Sequence, residues 1–192
     1  MSSALDGSSK GITFFQWMIL GTLTLTSTLY AMSMTIANIA LPQLQGALGA
    51  TQDQIAWTVT FNIIGTAIVT PMTGWLTLRF GQRRLMLCAI FGFATSSILC
   101  GQANALPELV IYRVFQGAFG GPLVPLSQAI ILGVFPRRLH SFATAVWGMG
   151  VVCGPIIGPT VGGYISEAYS WRWIFYIIAP FSLLAFLGAW FY

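Results

Sequence analysis

FFQWMILGTLTLTSTLYAMSMTIANIAL, Phe14 to Leu41, runs for 28 residues without a charged side chain. An α-helix rises about 1.5 Å per residue, so about 20 such residues cross the roughly 30 Å of hydrocarbon in a bilayer. The run is too long for a signal-peptide core of about 7–15 residues and is expected to persist in the mature protein as a membrane span. Ahead of it, Met1 to Lys10 is polar and Ser-rich, and residues 1–13 read as a disordered cytoplasmic tail.

The rest of the chain has the same character. Its 192 residues are 56% hydrophobic and 6% charged, against about 25% charged in an ordinary soluble domain. A chain of this size buries only about two-thirds of its surface on folding, so the remaining apolar surface must meet lipid. The net charge of +4 sits in short clusters between apolar runs without interleaved aromatics, which argues against nucleic-acid binding. Cys88, Cys100 and Cys153 lie inside apolar segments without metal-ligand spacing, so no metal site is expected and they read as small hydrophobes.

Six segments meet the length test: roughly Phe15 to Ala40, Gln54 to Leu78, Leu85 to Gly101, Pro107 to Phe135, Ser141 to Ile165, and Trp171 to Tyr192. The predicted fold class is therefore all-α, a polytopic bundle of six transmembrane helices over residues 14–192. Six of the eight basic residues, Lys10, Arg79, Arg83, Arg84, Arg137 and Arg138, fall on one side of the alternation, and Asp53, Glu108, Glu167 and Arg172 on the other. Basic loops stay in the cytoplasm, which predicts a multi-pass protein of the cell (inner) membrane with both termini cytoplasmic. The loops are short, so neighbouring spans should pack antiparallel. Trp17, Trp57, Trp171, Trp173 and Trp190 fall near span ends, where indole rings anchor at the interface.

Three places interrupt the apolar monotony. Span four carries Arg113, with Gln116, Gly117, Gly120, Ser127 and Gln128 at offsets of three, four, seven, fourteen and fifteen, one stripe on a continuous helix. An intramembrane Arg costs several kcal/mol unless paired or hydrated, so either the stripe faces a polar pathway or Arg113, about 9 Å from Pro107, snorkels to the surface. Span one places Thr24, Thr28, Thr35 and Asn38 on a common face. The threonines are expected to bond back to their own helix, while Asn38 could do so or face a cavity. Span five spaces Gly150, Gly154, Gly158 and Gly162 four residues apart, with Pro155 and Pro159 after two of them. Such a ridge admits close approach of a partner helix, and Pro155 removes the amide partner of the Val151 carbonyl. No H-E-x-x-H, G-x-S-x-G, P-loop or carboxylate pair occurs, and His140 sits among loop arginines, so no enzyme is expected.

These elements resemble those of the major facilitator superfamily, specifically its fourteen-helix drug:proton antiporters of the EmrB/QacA type. Thr35-Ile36-Ala37-Asn38-Ile39-Ala40-Leu41-Pro42 is similar to the family's span-one T-I-x-N-x-A-L-P element, and Gly74, Arg79, Gly81, Arg83 and Arg84 resemble its basic cytoplasmic gating loop. Arg113 to Gly117 and Gly121 to Gln128 resemble the span-four R-x-x-Q-G and G-P-L-x-P-L-S-Q elements. Gly150, Gly154, Pro155, Gly158, Pro159, Gly162 and Gly163 resemble the span-five antiporter motif, and Trp171 to Phe175 the W-R-W-I-F element that opens span six.

The resemblance implies half of a fold built from 3+3 inverted repeats, exporting hydrophobic or amphipathic drug-like compounds by alternating access. The driving force would be the proton gradient, with no cofactor. The implied partners are membrane lipids, a C-terminal transporter half and, in the EmrB branch, a periplasmic adaptor and an outer-membrane channel. Asn38, Asn62, Arg113, Gln116 and Gln128 would line the pathway, and Arg79, Arg83 and Arg84 would close its cytoplasmic side. Two acids of the family pattern are missing, with Ser33 and Leu78 in their places. The proton carrier is then expected in the other half, or coupling is altered. Two rival readings remain: an inactive or regulatory membrane fragment assembling through its Gly-rich faces, and a metabolite facilitator of the same fold.

Overall fold

The computed structural model describes residues 12–191, so residues 1–11 of the expected tail, with Lys10, and the terminal Tyr192 lie outside the described residues. Six helical rods cross from end to end: Phe14–Ile39, Gln52–Phe80, Gln82–Gln102, Leu106–Val134, Arg137–Ala168 and Trp171–Trp190, called spans one to six. Each is long and apolar enough to cross a bilayer, as the sequence predicts.

The boundaries differ from expectation where local chemistry outweighs hydropathy. Span two begins at Gln52 because Thr51 and Gln54 form a reciprocal cap: the Gln54 N–H donates to Thr51 Oγ1 at 3.3 Å and the Thr51 N–H to Gln54 Oε1 at 3.0 Å. Span three begins at Gln82, since Gly81, at φ 83°, turns the chain and the polar Gln82, Arg83 and Arg84 form the first helical turn. The segment after span one is a further helix, Leu41–Leu48, with Pro42 in its first turn and Gly49 at φ 61° closing its end.

Span four, expected as one continuous helix, is two pieces, Leu106–Gly120 and Leu123–Val134, joined by a turn at Gly121 and Pro122. Pro122 and Pro125 lack the amides that would bond the carbonyls of Ala118 and Gly121. Span six likewise divides into Trp171–Tyr176 and Ile178–Trp190, with Pro180 unable to bond the Tyr176 carbonyl. Span five runs unbroken over His140–Ala168 despite Pro155 and Pro159.

The rods alternate in direction. The Gln16 amide donates to the Val134 carbonyl at 3.3 Å, and Arg83 Nη2 to the Trp190 carbonyl at 2.6 Å, so the start of span one, the Arg79–Arg84 turn and the ends of spans four and six share one end. At the other end, Arg172 donates to the Gly101 carbonyl and to Asn104 Oδ1, each at 3.1 Å.

Packing shows the internal symmetry. Span one lies most closely on span five, and span two on span four; span three touches span four as span six touches span one. Exchanging spans one to three for four to six leaves this pattern unchanged, as inverted 3+3 repeats require. Two apolar cores fill the bundle. One, around Leu23, Phe93, Ile131 and Trp147, lies toward the arginine-rich end; the other, around Ile36, Leu44, Leu109 and Phe175, lies toward the Arg172 end. Only 22% of the hydrophobic stretch of span two and of span five is buried, against 50% in spans one, three and four. Spans two and five, carrying Ile63, Ile68, Met149, Val152 and Ile156 on their exposed faces, therefore present the apolar surface that lipid or further helices must cover.

Candidate translocation site

Arg113 follows Pro107 into the bundle by nearly two turns of span four and is 2% exposed. Its side chain does not snorkel. Nη1 donates to Gln116 Oε1 at 2.6 Å, one turn farther from the membrane surface, and the guanidinium carbon lies 5.2 Å from the centre of the Phe175 ring of span six. Gln116, wholly buried, passes the chain onward: its Nε2 donates to Ser97 Oγ of span three at 2.7 Å, and Ser97 donates to its own Phe93 carbonyl at 2.8 Å. The Arg113 Nε has no hydrogen-bond partner. Asp53, Glu108 and Glu167, the described carboxylates, are all exposed at helix ends, so this cation is held by an amide oxygen and a π-face, without a carboxylate among the described residues.

On the far side of span four, Asn62 of span two is 3% exposed and donates from Nδ2 to the Arg113 carbonyl at 2.9 Å. One turn along, the Thr66 hydroxyl lies 3.0 Å from the Tyr30 hydroxyl of span one, 3.0 Å from the Asn62 carbonyl and 3.2 Å from the Gly117 carbonyl. Gly117 makes this possible, because a Cβ there would collide with the Asn62 carbonyl oxygen. The structure thus joins spans one, two, three, four and six through one polar layer between the two apolar cores.

Several expected site residues do not join that layer. Gln128 is exposed, whereas Ser127 is wholly buried: at about 100° per residue an offset of fifteen falls roughly 60° from Arg113, on the edge of the stripe, while an offset of fourteen falls roughly 40° to the other side. Asn38 is exposed near the end of span one. Arg113 and Gln116, expected on a wall between two halves, instead point into this bundle's interior, toward spans three and six. Of the span-one threonines, Thr28 and Thr35 bond back as expected, to the Thr24 carbonyl at 2.7 Å and the Met32 carbonyl at 3.0 Å, whereas the Thr24 hydroxyl has no hydrogen-bond partner.

The basic turn has three distinct arginines. Arg79 stacks over the Trp75 ring at 5.7 Å, Arg83 holds the end of span six, and Arg84 opens onto an apolar groove. Gly74 has open space around it, and Gly81 supplies the positive φ. In span five, Gly150, Gly154, Gly158 and Gly162 face span one as a continuous ridge, with Gly163 beside Ile39 and the prolines, Pro155 and Pro159, off that ridge. The sequence reading missed Phe175 as the neighbour of Arg113 and Ser97 as the partner of Gln116. Ser97 carried a signal, a hydroxyl seven residues after Ile90 on the buried side of span three, but nothing local says which helix it meets.

The comparisons with known proteins follow the same lines. The family profile of the Major Facilitator Superfamily matches residues 23–192. The multidrug export protein EmrB of Haemophilus influenzae is 44% identical over 88% of this chain and 33% of its own length. EmrB of Escherichia coli K12 is 42% identical over 84% of this chain and 31% of its length, and the fatty acid resistance protein FarB of Neisseria gonorrhoeae is 41% identical over 79% and 30%. The chain spans about one third of the length of these curated relatives. Among solved structures, the proton:xylose symporter XylE bound to 6-bromo-6-deoxy-D-glucose superposes with a TM-score of 0.84 at 18% identity, over 95% of this chain and 46% of that one. A bacterial homologue of the lysosomal transporter Spinster, inward-facing and occupied, gives 0.82 at 18% identity, over 94% and 45%. At that identity they share the fold.

Proposed function

From the premise that this chain belongs to the major facilitator superfamily, we propose that it is the N-terminal half of a proton-coupled exporter of hydrophobic and amphipathic compounds. The observation that carries this reading is the 44% identity to a multidrug export protein along nearly all of the chain, set on a bundle whose spans two and five leave most of their surface uncovered. A second six-helix bundle docks there, and the two rock about a site near the bilayer midplane. The protein lies in the inner membrane with the Arg79–Arg84 and Arg137–Arg138 turns in the cytoplasm. A periplasmic adaptor and an outer-membrane channel complete the route in the branch it resembles. No cofactor takes part; the proton gradient supplies the work.

The buried layer gives each side chain a task. Arg113 supplies fixed positive charge, and Gln116 and Ser97 tie that charge to span three. Asn38, exposed, is the polar group of span one presented to substrate. Arg keeps its proton, so it cannot itself be the carrier. With Ser33 and Leu78 at the family's acidic positions, the titrating carboxylate belongs to the second half, while Arg113 acts from within this bundle by holding spans three, four and six in one polar layer.

The test is ethidium efflux from energised cells expressing this chain joined to a second half. Export stops on adding a protonophore, and stops in Arg113→Ala at unchanged membrane level. Efflux that persists undiminished in both experiments would overturn the reading.

A further inference from the structure

A groove of about 390 Å³ lies on the outer surface where spans two, three and four meet near the arginine-rich end. Leu76 and Phe80 of span two form one wall, Cys88 of span three the other, and Phe119 and Pro122 of span four the floor. Phe80, Arg84 and Cys88 are exposed along it. The floor is shaped by two departures from regular packing. Pro122 and Pro125 interrupt the hydrogen-bond ladder of span four there, and Phe119 lies against Gly92, where any Cβ would meet its ring. Arg84 stands at the rim and is the one charged group among the lining residues.

Any trough on a membrane bundle holds hydrocarbon; the charge at its mouth decides which lipid. Arg79 is stacked over Trp75 and Arg83 is bonded to the Trp190 carbonyl. Arg84 has no hydrogen-bond, ion-pair or ring partner among the described residues. Leu78, 89% exposed, stands where the family pattern carries an acid, and Asp53, Glu108 and Glu167 belong to the opposite end of the bundle. Three guanidinium groups therefore meet the interface within six residues with no carboxylate among them. No side chain caps the first amides of span three beside Arg84, which adds to the positive potential.

We infer that this groove is a binding site for an anionic phospholipid, one acyl chain lying between spans two and three and the phosphate resting on Arg84. Basic pockets between spans select acidic headgroups in this way. The site is separate from the pathway, and its lipid pins span two to span three on the bundle's outer flank.

Native mass spectrometry of the chain released from mixed bilayers of phosphatidylglycerol and phosphatidylcholine tests this. The wild-type chain retains phosphatidylglycerol in preference to phosphatidylcholine. Arg84→Gln lowers phosphatidylglycerol retention about fivefold, the effect of one interfacial charge, and leaves phosphatidylcholine unchanged. Cys88→Trp, which fills the groove without touching the charge, lowers retention of both. Arg137→Gln, at the same end but off the groove, changes neither. Equal retention by Arg84→Gln and wild type overturns the proposal, as does unaltered retention by Cys88→Trp. Displacement of the lipid by millimolar inorganic phosphate alone also overturns it, because a bare anion site needs no acyl chain.

Discussion

Spans one and five, and spans two and four, are the same structural unit repeated with opposite polarity, yet they are held together by different means. Between spans two and four, small residues sit on both helices and oppose backbone: Gly65 meets the Val114 carbonyl, and Gly117 the Asn62 carbonyl. Side chains then stitch the seam, Asn62 to the Arg113 carbonyl at 2.9 Å and Thr66 against the Gly117 carbonyl at 3.2 Å. Between spans one and five the glycines are all on span five, and three of the four meet side chains, those of Thr24, Thr35 and Ile36. Among the described residues one side-chain hydrogen bond crosses it, Trp147 Nε1 to Ser27 Oγ at 3.1 Å. A seam made of backbone and cross-bonds has one register, whereas a smooth ridge against rotatable side chains has several of similar energy. The comparison assigns rigidity to spans two and four and sliding to spans one and five.

The largest effect is expected where a methyl group would strike backbone. Gly117→Ala puts a Cβ onto the Asn62 carbonyl oxygen, which no rotamer can move. The helices must part, and both stitches go with them. The expected destabilisation is about 3 kcal/mol, at the upper end for overpacking, read as loss of the folded fraction in SDS titration of the purified chain. A variant as stable as wild type would break the distinction at its strongest point.

Gly154→Ala is the matched test in the other seam. There the nearest atoms are the Thr28 carbonyl at 2.7 Å and the Met32 amide at 3.1 Å. It is the one backbone contact of the ridge, and wider than its counterpart. A loss of about 1–2 kcal/mol is expected in the same titration, since a shift of a few tenths of an ångström relieves it without breaking a cross-bond. Asn62→Ala should follow at about 1 kcal/mol, within the range of interhelical hydrogen bonds in membranes. Removing the side chain also removes its unpartnered Oδ1, which offsets part of the loss. Ser27→Ala, its counterpart in the sliding seam, should lose less than Asn62→Ala; the reverse order would show that the stitches do not distinguish the pairs.

Much of this contrast was legible before any coordinates. Apolar run length gives six spans, and four-residue spacing gives the ridge of span five, because both depend only on chain geometry and the thickness of a bilayer. The breaks in spans four and six were not foreseen, although Pro122, Pro125 and Pro180 were in view. A proline in a membrane helix can be absorbed, as Pro155 and Pro159 are, and its neighbours decide which outcome holds. The contact of Arg113 with Gln116 follows from their spacing of three; that of Gln116 with Ser97 and that of Arg113 with Phe175 do not. When every face of a helix is apolar, periodicity says little about rotation, so cross-helix partners come from packing alone. Gln128 shows the same limit: it sits on the edge of the Arg113 stripe, and packing buries its neighbour Ser127 instead.

The smallest effect is the sharpest test. Gly150 opens the ridge that the family's antiporter motif describes, and a Cβ at Gly150 would touch the methyl of Thr24. That methyl is free to leave, because the Thr24 Oγ1 has no hydrogen-bond partner to lose. Threonine in a helix divides between two χ1 wells, one of which bonds its hydroxyl to the preceding turn. Replacing a helical Gly by Ala also gains about 0.5–1 kcal/mol of backbone entropy. The two terms nearly cancel, so Gly150→Ala should leave the SDS midpoint within about 0.5 kcal/mol of wild type, while Gly117→Ala, the same chemical change on the equivalent seam, costs about 3 kcal/mol. Joined to a second half, Gly150→Ala should then slow efflux without lowering the amount of protein in the membrane, since it roughens a sliding surface without weakening it. If instead it destabilises the chain as much as Gly117→Ala does, the two seams are held alike, and the sliding role of spans one and five is lost.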